Sequence, residues 1–188
     1  MKQYEISIKG KTPYMQHRMR DEALDVWEKK RGLIIERDEI NKADQVRAEY
    51  HAYANGHGFY LPSEHIRSSL INAGAYMKAK VGNSKKSMKN IVAAMFYITP
   101  EEIPLPQQFT IDKRSAVNQN VKARVISIRP KWETWGATFT LTVDNDTITE
   151  ETIKQLFEYA GNYVGIGSFR PEHNGYFGRF DVIKFKAK

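Results

Sequence analysis

The sequence predicts an α+β fold in a single domain spanning residues 1–188. Three observations predict it. Residues 4–9 and 138–143 alternate apolar and polar side chains, the two-residue period of a half-buried strand. Residues 63–77 and 149–160 space their apolar side chains as a helix does, each behind a start signal. A length of 188 residues with 41% hydrophobic content suits one core with insertions.

The elements follow in order. Tyr4, Ile6 and Ile8 face one way and Glu5, Ser7 and Lys9 the other, which makes a first strand. Gly10 and Pro13 mark residues 10–19 as turn and loop. Residues 20–52 mix charges of both signs with scattered apolar side chains such as Trp27, Leu33 and Val46, a pattern of one or two surface helices. Residues 54–58 form a turn. Pro62 precedes a helix that Ser63 can cap, with Ile66, Leu70, Ala73 and Met77 on one face. The helix exits near Val81-Gly82-Asn83-Ser84. Residues 91–98 are apolar and suit a buried strand, whereas 99–120, with three prolines, suit a long excursion or hairpin. Residues 122–129 make a further strand. In 138–143, Phe139, Leu141 and Val143 oppose Thr138, Thr140 and Thr142.

Residues 144–146 then turn the chain. Thr149 is a suitable N-cap, Glu150 and Glu151 complement the helix dipole, and Ile148 can staple onto Ile153. Ile153, Leu156, Phe157 and Ala160 make one stripe, and Gly161 falls at the C-cap position. Residues 179–186 close as a strand. Strand-helix-strand followed by strand-strand-helix-strand is the order of a ferredoxin-like (RNA-recognition-type) core. That core is an antiparallel sheet with two packed helices, here with insertions at about 11–58 and 99–121.

Charge is segregated. The chain carries 29 Lys and Arg against 22 Asp and Glu, a net charge of +7. Residues 65–100 contain no acid and six basic side chains, and residues 113–132 again no acid and six basic side chains. The rest of the chain holds 17 basic against 22 acidic residues, so positive surface is expected on an otherwise acidic body. No apolar run approaches the roughly 20 residues of a membrane helix. The N-terminus has the pattern of a strand and not of a signal peptide, and a cytoplasmic protein with no membrane partner is expected. With no cysteine, disulfides and thiolate metal sites are excluded.

The stretch from Gly165 to Phe180 concentrates four glycines, four aromatics and two arginines between a helix and a strand. Glycine allows close approach to a ligand, arginine holds phosphate, and aromatics stack on bases. The favoured ligand is a nucleic acid strand. Arg170 and Arg179 are candidate phosphate contacts, Gly165, Gly167 and Gly178 allow close approach, and Tyr176, with Phe169 and Phe177, can stack. From the first basic window Arg67, Lys78, Lys85, Lys86 and Lys89 join them, and from the second Arg114 and Arg124. Arg129-Pro130-Lys131-Trp132, with Trp135, offers a stacking platform if a tryptophan is exposed, and core packing if not.

This layout resembles the RAMP superfamily of CRISPR-associated RNA-binding proteins. The resemblance rests on the glycine-rich loop between the last helix and the last strand, ending Tyr176-Phe177-Gly178-Arg179. Within that superfamily the chain is most similar to the backbone subunits that polymerise along a guide RNA, and its length fits a compact phage- or plasmid-encoded relative. The resemblance implies a non-catalytic RNA-binding or single-strand-binding subunit that oligomerises along its ligand within a ribonucleoprotein assembly. Two alternatives stand beside it. One is a metal-independent endoribonuclease with His17 as general acid/base. The other is a protein-interaction module that mimics a backbone subunit. No cofactor is expected. The spacing of His51 and His57 lacks a carboxylate partner for zinc, and nucleotide-hydrolysis and dinucleotide motifs are absent.

Overall fold

A computed structural model describes residues 1–18, 43–81, 84–117 and 124–188, with the side chains of 79–81, 84–86, 117 and 125 excepted. The fold is α+β, with helices and antiparallel sheets. Its centre is a four-stranded sheet of β1 (Lys2–Gly10), β7 (Phe96–Thr99), β11 (Gly136–Val143) and β12 (Phe180–Ala187), in the spatial order β12-β1-β11-β7. Every neighbouring pair is antiparallel.

The register explains the core. Tyr4 lies opposite Leu141, Ile6 opposite Phe139 and Ile8 opposite Ala137, so the alternation of both strands puts one apolar face on one side. Helices α2 (Ser63–Ala73) and α4 (Glu150–Tyr159) pack with this core; α2 meets β7 and α4, and α4 meets β12. Ile66 and Leu70 of α2, and Ile153, Leu156 and Phe157 of α4, have no exposed surface. The other face is polar, with the hydroxyls of Ser7 and Thr138 2.9 Å apart.

Thr149 caps α4 as its sequence predicts, its hydroxyl accepting from the Thr152 N–H at 3.2 Å. At α2 the expected Ser63 cap is replaced. Ser63 is already helical, Pro62 stands at the cap without a side-chain bond, and the Ser63 N–H donates to the Glu101 carbonyl at 2.7 Å. Gly161 is not the C-cap of α4. The helix continues into a wider turn, Ala160–Val164, and ends at Gly165 with φ 72. Gly161 is instead a point of close approach, since a Cβ there would stand 2.1 Å from the Phe180 carbonyl oxygen.

The apolar run 91–98 divides in two. Residues Lys89–Met95 form helix α3 and only Phe96–Thr99 form β7, where burial alternates. Ala93, Ala94 and Met95 are good helix formers, and their apolar character alone does not separate helix from strand.

Two smaller sheets flank the core. Strands β9 (Thr110–Val117) and β10 (Arg124–Trp132) form an antiparallel hairpin, and β10 also pairs with β2 (Tyr14–Met15). Strand β4 (Gly58–Pro62) pairs with β3 (Ala54–Asn55) and β8 (Glu102–Pro104). A short pair, β5 (Lys78–Val81) and β6 (Ser84–Ser87), follows α2. Of the helical segment expected in 20–52, residues up to 42 lie outside the described residues, and Asp44–Tyr50 is helix α1. The tip of the expected finger, 118–120, also lies outside them.

Trp132 and Trp135 are both buried, their indole N–H groups donating to the carbonyls of Pro106 and Thr12, each at 2.8 Å. This excludes the stacking-platform reading of that segment. Among the described residues no helix is long and apolar enough to cross a membrane.

Gly161→Ala would force its new methyl into the Phe180 backbone. It is expected to lower stability by roughly 1–3 kcal/mol, measured as a fall in the thermal midpoint.

Candidate functional site

The glycine-rich loop is braced on both sides. The Ile166 N–H donates to the Gly178 carbonyl at 3.0 Å, closing the loop on itself. The segment after β1 clamps it from outside. Ser168 N–H donates to Met15 at 2.8 Å, Gly178 N–H to Pro13 at 2.8 Å, and Lys11 N–H to Arg179 at 2.8 Å. Gly167 has φ 78, and a Cβ on it would lie 2.5 Å from both the Tyr14 ring and the Met15 carbonyl oxygen. Only glycine fits there. The loop is therefore held at a fixed place beside β2.

Its arginines differ in role. Arg170 pairs with Glu172 at 2.7 Å and donates to the Gly167 carbonyl at 3.2 Å, remaining partly exposed. Arg179 donates to the Asn162 carbonyl at 2.9 Å and so ties the loop to the turn after α4. Tyr176 is exposed, Phe177 is buried and Phe169 is half-buried.

The hairpin meets the loop through arginine. Asp112 faces Arg129 and Arg114 faces Ser127 in the β9–β10 register, which puts both arginines on one face. The Arg114 guanidinium lies 5.3 Å from the Phe169 ring centroid and 5.0 Å from that of Phe177, and Arg129 lies 4.9 Å from Phe169. Such stacking is worth about 0.5–1 kcal/mol per contact where solvent reaches it. It offsets part of the roughly 1–2 kcal/mol that left-handed backbone costs Phe169, whose φ is 51. Arg114 is chelated by Asp112, and these hydrogen bonds raise its pKa. Arg129 also donates to the Ser168 hydroxyl. Burial lowers its pKa to about 10, Asp112 opposing the shift, so it stays charged at neutral pH.

Beside this contact lies an open cleft of about 360 Å³ between α2 and the loop. His65, Ser68 and Ser69 line it from the helix, Gly165–Arg170 and His173 from the loop, and His17 from the end of the β2 segment. A buried polar chain behind it has a determined direction. The Tyr53 N–H donates to Gln16 Oε1 at 2.7 Å, which orients the amide. Gln16 Nε2 then donates to the Tyr60 carbonyl at 2.8 Å and to the Tyr14 oxygen at 3.2 Å. The Tyr14 hydroxyl is left to donate to His65 Nδ1 at 2.7 Å. His65 therefore carries its proton on Nε2. Burial, with Arg170 adding repulsion, lowers the His65 pKa to about 4 and keeps the ring neutral. Burial raises the Tyr14 pKa, so its hydroxyl remains a donor. His17 is shifted downward by desolvation, then by Arg129 and His51, although the residue is exposed at the surface.

The remaining sequence candidates lie apart. Arg67 turns inward: it donates to the carbonyls of Phe96, at 3.2 Å, and Ala93, and pairs with Glu64 at 3.3 Å. Lys78, the first residue of β5, and Lys89, at the start of α3 after β6, are exposed beyond the C-terminal end of α2, as is Tyr76. The side chains of Lys85 and Lys86 lie outside the described residues. Arg124 is exposed further along the hairpin, on the face opposite Arg114. Among the described residues no cluster of side chains could hold a metal ion.

Sequence reasoning missed His65 and Ser69 as site residues. Their spacing of four in a helix, which puts both on one face, was the available signal. It missed Tyr14 because a tyrosine in a loop looks like ordinary core. No protein-family model matches the chain, and comparison with curated proteins finds no match.

The neutral His65 makes stability depend on pH. Its folded pKa lies below its ordinary value of 6.5, so the unfolded chain takes up the proton first. The contribution is complete above about pH 6.5 and is lost as pH falls toward about 4, with a limiting slope of about 1.4 kcal/mol per pH unit. Urea denaturation at stepped pH is expected to show this loss before most carboxylates titrate, with a flatter profile in His65→Gln.

Proposed function

We propose that this chain is a non-catalytic protein that binds single-stranded nucleic acid, RNA foremost, on a ferredoxin-like core. The core assignment is supported by the sheet order β12-β1-β11-β7, with α2 between the first and second of these strands in sequence and α4 between the third and fourth. It agrees with the resemblance to the RNA-gripping subunits of the RAMP superfamily.

One observation carries the binding reading. The two acid-free windows, far apart in sequence, meet on either side of the glycine-rich loop. The first supplies the α2 wall of the cleft, and the second supplies the arginines stacked on Phe169 and Phe177. Tyr176 stands exposed at the loop for base stacking, its ring 5.8 Å from that of Phe177. A strand crossing the loop and running along α2 reaches Lys78 and Lys89. The 11-residue helix is about 16 Å long, a span of a few nucleotides.

A nuclease reading keeps one observation in its favour, the position of His17 in the cleft with His65. Incubation of labelled RNA with EDTA separates the two readings. Cleavage abolished by His17→Ala would replace binding alone.

Binding of fluorescent single-stranded RNA and DNA, followed by anisotropy across a salt series, tests the proposal. Tyr176→Ala is expected to weaken binding roughly tenfold through loss of one stacked base. Lys78→Ala with Lys89→Ala is expected to reduce the salt slope by about 1.4, two single-strand phosphate contacts. Salt-independent binding, or none with either strand, would rule the proposal out.

A further inference from the structure

We propose that the cleft between α2 and the glycine-rich loop is a discrete oxyanion site that holds one phosphoryl group through His65, Ser69 and the loop's backbone amides. The inference goes beyond strand binding, because it assigns a pocket that recognises a single phosphate by itself.

Ser69 is the first observation. It is 2% exposed and is among the residues that line the cleft, and its hydroxyl has no hydrogen-bond partner among the described residues. A buried hydroxyl without a partner is destabilising, and an alanine would fit the same helix position without that penalty. A ligand that accepts from this hydroxyl accounts for its presence.

His65 is the second. It precedes Ser69 by one helical turn on the same face, and the chain from Tyr53 through Gln16 and Tyr14 compels its Nε2 to be a donor. No described residue accepts from that nitrogen. The opposite wall adds Gly167, Phe169 and Arg170, whose backbone N–H groups have no backbone acceptor among the described residues. Arg170 contributes positive charge from the same wall, although Glu172 shares it. No carboxylate is among the residues lining the cleft.

The arrangement is thus rich in donors, and the carboxylates next to it are already engaged, Glu172 by Arg170 and Glu64 by Arg67 and Ser68. A ligand that only accepts, with several oxygens directed apart, satisfies both walls together. A phosphoryl group has that geometry, and the volume of about 360 Å³ leaves room for an attached sugar. The group can be a terminal phosphate monoester or free phosphate, and the two share one chemistry.

Nuclear magnetic resonance on the isotope-labelled full chain tests this. Inorganic phosphate and adenosine monophosphate are titrated separately against chloride at matched ionic strength. The expected result is saturable shifts of the Gly167, Phe169 and Ser69 amides, with His65 in the Nε2–H tautomer throughout. Ser69→Ala is expected to reduce phosphate affinity about tenfold, the loss of one hydrogen bond to a charged group, while the thermal midpoint stays equal or rises. Absent shifts with both ligands, or unchanged affinity in the variant, would overturn the site. A single strand that binds while these signals stay still would remove the pocket and leave the strand-binding surface. Phosphate binding in a chain that holds no strand would do the reverse.

Discussion

Tyr14 stands between the glycine-rich loop, the buried polar chain and the aromatic cluster. Its ring packs 5.9 Å from that of Trp132 and 5.4 Å from that of Trp135. The same ring occupies the space that any side chain at Gly167 would need. Its hydroxyl, fully out of water, has one acceptor open to it, His65. A buried phenol must place its proton, and here it can do so only toward the helix. The position of the loop, the tautomer of His65 and the seating of β2 are consequences of one buried group being satisfied.

The electrostatics around this point follow from burial more than from ion-pair number. Surface pairs such as Lys154 with Glu150, 2.7 Å apart, contribute little in water. The Asp112–Arg114 pair differs because Asp112 is nearly buried and also faces Arg129 across the hairpin. One carboxylate thus compensates two guanidinium groups stacked on the same aromatic ring, leaving net positive charge where the hairpin meets the loop. Arg67 shows the opposite outcome. It lies in the acid-free window but is consumed by backbone carbonyls at the α3–β7 junction, so its charge serves the fold.

The functional surface also shows where local rules give way. A non-glycine residue at φ 51, an unpartnered buried hydroxyl and the neutral His65 all border one cleft. Each is unfavourable for an isolated domain, and their concentration in one place sets that cleft apart from the rest of the core.

The sequence by itself determined the strands and helices whose periodicity is strong and whose ends are chemically marked. Strand β11 with its threonine alternation, the Thr149 cap of α4 and the position of the glycine-rich loop were legible because each depends on neighbours in the chain. The sequence also marked the loop's glycines, its exposed Tyr176 and the two acid-free windows. It did not reveal that Gly161 is a contact and Gly165 the helix end, because the Phe180 backbone that crowds Gly161 arrives from another strand. Nor could it separate helix from strand within 91–98, where apolar residues run without a period. Only the tertiary structure decided that Arg67 faces inward, that Arg114 and Arg129 share an aromatic ring, and that His65 and Ser69 face a loop a hundred residues away. The reason is physical: burial, proton direction and charge compensation are properties of surroundings, and those surroundings come from segments far apart in the chain.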